Sequence, residues 1–108
     1  MARTDGIENM DTYQVIVDDN FHYMDTDERY VISGFVTAEH ALAKCKAIVE
    51  QCLKDCAKPG DTPEQIYGSY QAFGEDPWVG SPPGKPPVRF SAWDYARAEA
   101  YRFVTEVQ

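Results

Sequence analysis

The sequence predicts an α+β fold: a two-layer arrangement in which an antiparallel β-hairpin or a three-stranded sheet has three helices packed on it. Three observations carry this. The runs YQVIV at residues 13–17 and YVISGFV at residues 30–36 have the length and the β-branched, aromatic composition of strands. A long run after them places apolar residues three or four apart, as one face of a helix requires. Two later segments open with helix-capping patterns.

Residues 1–11 are polar and are expected to fray. The polar segment joining the two strands is long for a hairpin loop. Either it is a true loop, or residues 21–24 extend the first strand past a bulge at residues 18–20. Gly34 marks a bulge or a close backbone approach. Thr37 then caps a helix over about residues 38–57, with Ala41, Leu42, Cys45, Ile48, Val49, Cys52, Leu53 and Cys56 as its apolar stripe. Lys58, Pro59 and Gly60 stop it.

Thr62, Pro63 and Gln65 form a capping box with proline at the first helical position, starting a helix that runs to about Phe73. Ile66, Tyr70 and Phe73 share its inner face. Residues 74–87 read GEDPWVGSPPGKPP; five prolines and three glycines in that stretch argue for a long surface loop, not a helix or central strand. Residues 88–90 are candidates for a short third strand. Ser91 caps the last helix, with Trp93, Ala96, Ala100, Phe103, Val104 and Val107 as its buried stripe and Arg102 able to pair with Glu106.

The 108 residues read as a single domain, large enough to build a core without disulfides. No apolar run of about 18 residues is present, so no membrane association is expected. The start of the chain lacks the apolar core of a secretory signal, which predicts a cytoplasmic protein. Cys45, Cys52 and Cys56 fall on one helical face and read as small buried hydrophobes. Two of them make at most half a zinc site.

The net charge of -8 is concentrated. Residues 1–30 hold eight acids against Arg3 and Arg29, and residues 61–76 hold four acids with no base. Such a field repels phosphates and attracts cations, so nucleic acid is not an expected partner.

Candidate site residues fall in three islands where acids adjoin large aromatics. The first is VDDNFHYMDTDERY at residues 17–30, with Asp18, Asp19, Asn20, His22, Tyr23 and Asp25. Its oxygens suit calcium or magnesium, but their spacing is not that of an EF-hand loop, and neither a metal nor a cofactor is expected. His22 with Asp18 or Asp25 is the minimum for acid–base chemistry, yet no nucleophile is tied to it by spacing, so no reaction is fixed. The plainer reading is that these aspartates cap turns. The second island is GEDPW at residues 74–78, where Glu75, Asp76 and Trp78 can form an aromatic platform for a cation, or Trp78 can pin a loop to the core. The third is FSAWDYA at residues 90–96, which also reads as a plain capped helix start.

Taken together, VDDNFHYMD, ERY before a strand ending in GF, YxxxxxFGEDPW and FSAWDYA resemble a family of small uncharacterised bacterial proteins. The resemblance spans residues 13–98. It implies a bacterial, cytosolic setting and a stand-alone domain, and that the three islands meet in space. It carries over no catalytic residues, since the family has no known activity. The expectation is an acidic binding or interaction domain for a protein partner or a small cationic ligand, with homodimerisation through an exposed strand edge. The alternative is a small enzyme built on His22.

Overall fold

A computed structural model describes residues 12–20 and 29–106. The fold is α+β, and among the described residues it has a three-stranded antiparallel sheet and three α-helices. In chain order, strands β1 (Tyr13–Asp19) and β2 (Tyr30–Phe35) precede helices α1 (Ala38–Cys56) and α2 (Pro63–Phe73). Strand β3 (Glu75–Gly80) and helix α3 (Ala92–Glu99) follow, and a 3-10 turn over Ala100–Phe103 is the last element in the described residues. The sheet order is β2-β1-β3, so β1 is central and both neighbours run antiparallel to it.

β1 alternates as a half-buried strand should. Val15 and Val17 are buried against Ala41, Cys45 and Ile48 of α1 and Val79 of β3. The β1–β2 register shifts between Tyr13 and Val15, opposite Gly34, whose φ of 95° is the left-handed conformation that glycine adopts without strain. Asp18 and Asp19 belong to β1 in regular register with Asp76 and Glu75. The predicted bulge at residues 18–20 is therefore absent at these two positions, while residues 21–24 lie outside the described residues.

β3 corrects the reading of residues 74–87 as loop. Glu75–Gly80 pairs along β1, with Pro77 opposite Val17. Proline was expected to break a strand, but β3 is an edge and needs ladder hydrogen bonds on one side only. The third strand is β3, and residues 88–90 are not in the sheet. Val88 and Phe90 instead pack half-buried against the core.

The helices form a second apolar cluster from Val49 and Leu53 of α1, Ile66 and Tyr70 of α2, and Ala92, Ala96 and Ala100. Thr62 Oγ1 accepts from Gln65 N at 3.2 Å while Gln65 Oε1 accepts from Thr62 N at 2.8 Å, completing the capping box. Ser91 caps α3 by accepting from Asp94 N at 3.2 Å.

Leu42, Cys52, Cys56 and Phe103 are half-buried rather than buried, and three further side chains predicted to be inside are exposed. Phe73 is 67% exposed, because the Tyr70 ring closes the core face of α2 beneath Gly74. Trp93 is 36% exposed, because the buried stripe of α3 is the alanine row Ala92, Ala96 and Ala100, one position round the helix. Val104 is exposed because the chain has already turned extended there. Arg102 pairs with Glu99 at 2.7 Å and Glu50 at 3.5 Å instead of Glu106, since the 3-10 turn ends at Phe103. Val107 lies outside the described residues. Among the described residues, no helix is long and apolar enough to cross a membrane.

Candidate functional site

Strand register decides which acids meet which aromatics. Side chains alternate between the two faces of the sheet. Val15, Val17, Pro77 and Val79 take the face under α1, so Ile16, Asp18, Asp76 and Trp78 take the opposite face. Asp18 sits directly across from Asp76, and Ile16 across from Trp78.

Asp18 is the hub of this face. Arg29, just before β2, donates to its carboxylate from Nε at 2.6 Å and from Nη2 at 3.3 Å. Trp78 Nε1 donates to Asp18 Oδ2 at 3.2 Å. The Arg29 guanidinium also lies over the Trp78 ring, 5.9 Å from its centroid, within cation–π range.

The helices supply the other wall. Asn20 follows β1 and is fixed at three points. Its backbone N–H donates to Gly74 O at 2.9 Å, its Nδ2 donates to Tyr70 O at 3.0 Å, and its Oδ1 accepts from Trp93 Nε1 at 3.2 Å. Between the two indoles lies an open cleft of about 630 Å³, lined by Asp18, Asn20, Asp76, Trp78, Phe90 and Trp93. Each of the three sequence islands contributes to it.

The electrostatics of the cleft are unbalanced. Partial burial raises the Asp76 carboxyl above its ordinary range, and the neighbouring Asp18 charge raises it further. Among the described residues no cation pairs with Asp76. The Arg29 guanidinium is raised by its bond to Asp18.

The remaining predicted residues go elsewhere. Asp19 and Glu75 pair on the α1 face and line a separate cavity of about 620 Å³ with Cys52, Asp55, Cys56 and Phe73. There Glu75 Oε1 accepts from Tyr30 OH at 3.0 Å, and burial with this carboxylate pushes the Tyr30 phenol up to about 12. Burial pushes the Cys52 thiol up to about 11, so it stands as a protonated thiol at neutral pH. Among the described residues no three His, Cys, Asp or Glu side chains are grouped to hold a metal ion. His22, Tyr23 and Asp25 lie outside the described residues, and the acid–base alternative lies there with them.

Sequence reasoning missed three contributors. Arg29 was counted only as charge, Phe90 was placed in a short strand, and Trp93 was assigned to the core. The signal for Trp93 was the alanine spacing at 92, 96 and 100, which already defines a complete inner face.

The structure thus defines a two-layer α+β domain with an acidic cleft between two tryptophans. Comparison of the chain with protein-family models, with curated proteins and with solved structures gave no match.

Proposed function

We propose that this chain is a non-catalytic binding domain, acting in the cytoplasm, whose Trp78–Trp93 cleft takes a cationic group. The observation that carries the reading is Asp76. It is a partly buried carboxylate beside a second carboxylate, flanked by aromatic rings, and without a cation among the described residues. An arriving cation relieves the Asp18–Asp76 repulsion and gains the attraction of the ring faces. A net charge of -8 attracts such a ligand from a distance and repels anionic ones.

The test is an amide and indole N–H NMR titration with guanidinium and tetramethylammonium chlorides, against sodium chloride at matched ionic strength. The expected result is a saturable shift of the Trp78 and Trp93 indole signals with at least one organic cation. Indole signals that respond to neither organic cation beyond the sodium control overturn the proposal.

A further inference from the structure

Within that cationic reading, on which this step rests, the geometry points to an arginine side chain of a partner polypeptide as the occupant. The cleft already contains a worked example of the chemistry. Arg29 makes two contacts to Asp18 through Nε and Nη2 while lying over Trp78. A planar guanidinium can satisfy a carboxylate through two donors and an indole through its face at the same time. An ammonium is a compact point charge without that planar fork, and a quaternary ammonium donates no hydrogen bond.

Asp76 offers a second, equivalent place. It lies across the strand pair from Asp18, on the same face, two residues from Trp78 in the same strand. It lines the same cleft as Trp93 and Phe90. What differs is the absence of an arginine partner among the described residues. A second guanidinium entering from solvent would pair with Asp76 and lie against the aromatic walls, repeating the Asp18–Arg29–Trp78 arrangement beside it.

The source of that guanidinium follows from charge and size. Free arginine brings a charged α-ammonium and α-carboxylate, both strongly hydrated, which would have to shed water against Trp78, Phe90 and Trp93. An arginine within a polypeptide has amide groups there instead. An open cleft of about 630 Å³ has room for the flanking backbone as well as the guanidinium.

The experiment follows the Trp78 and Trp93 indole N–H signals of the labelled chain during titration with four probes. These are N-acetyl-arginine amide, N-acetyl-lysine amide, tetramethylammonium and free arginine. The arginine amide should saturate the shift and bind about tenfold more tightly than the lysine amide or tetramethylammonium, the margin expected when charge-assisted hydrogen bonds are added. Asp76→Asn should abolish this preference while the spectrum keeps its native dispersion. Equal binding of lysine amide or tetramethylammonium overturns the guanidinium assignment and leaves the cationic cleft standing. Free arginine binding as well as its amide overturns the polypeptide source. An Asp76→Asn protein that folds and keeps the arginine preference overturns the role of Asp76. Silence toward every probe overturns the cationic cleft itself.

Discussion

Asp76 is a residue held at a cost to the fold. Its folded-state pKa lies above the unfolded one, because partial burial and Asp18 both disfavour its charge. Between those two values the folded chain binds more protons than the unfolded chain. Stability from this group therefore falls as pH rises through that window, the reverse of an ion-paired aspartate. At neutral pH the charged form is a standing penalty. Asp76→Asn should accordingly stabilise the protein at pH 7, and only slightly, because solvent screens a half-exposed group. Urea unfolding at pH 7 and again in mild acid measures this, and the advantage of the variant should shrink in acid. A destabilised Asp76→Asn protein would mean that the carboxylate makes a favourable contact. A group that weakens the fold yet lines a cleft is the pattern expected of a binding residue.

The junction between α2 and β3 sets the geometry of the site at the level of elements. Gly74 is buried there, and a Cβ on it would lie 2.4 Å from Tyr70 Cδ1 and 2.8 Å from Tyr70 O. The same tyrosine donates from its hydroxyl to Glu75 O at 2.5 Å, and its carbonyl accepts from Asn20. Gly74→Ala should therefore cost about 3 kcal/mol, since neither a fixed ring nor backbone can retreat. Thermal melts read the loss, and in a variant that still folds the Trp93 indole signal should move because Asn20 moves. An alanine variant as stable as the parent would show that this junction has slack.

What the sequence disclosed at this level follows a physical line. Strands β1 and β2, the three helices and their caps were legible, because each is specified by nearby residues: period-two valines, a 3.6-residue stripe, Thr62 with Gln65. β3 was not, because its strand character comes from pairing with β1 sixty residues away in sequence, which outweighs the poor local propensity of Pro77. The cleft was half legible for the same reason. Asp18, Asn20, Asp76 and Trp78 were named from composition. Their separation from Asp19 and Glu75 depends on side-chain alternation within a strand that had been read partly as loop.

At the scale of the whole molecule, α1 ties the two apolar clusters into one structure. Its Ala41, Cys45 and Ile48 belong to the sheet cluster, while its Val49 and Leu53 belong to the helical one. The two should therefore unfold together. Leu53→Ala should cost about 2–5 kcal/mol, and far-UV circular dichroism and tryptophan fluorescence should report the same lowered midpoint. Two separated transitions would show that sheet and helices are independent units.

The two edges of the sheet are not alike, and this limits how far it can extend. β3 carries Glu75, Asp76 and Pro77, whose charges and missing N–H discourage a further strand. β2 carries no charge and no proline from Tyr30 to Phe35, and its Val31 is 48% exposed. Among the described residues, strand addition has one permissive side. Two copies joined there would present only proline-bearing outer margins, so growth would halt at a six-stranded pair. Such an inequality would act as a chain terminator against fibre formation, and Glu75, Asp76 and Pro77, which set it, stand in a strand that is also a wall of the cleft.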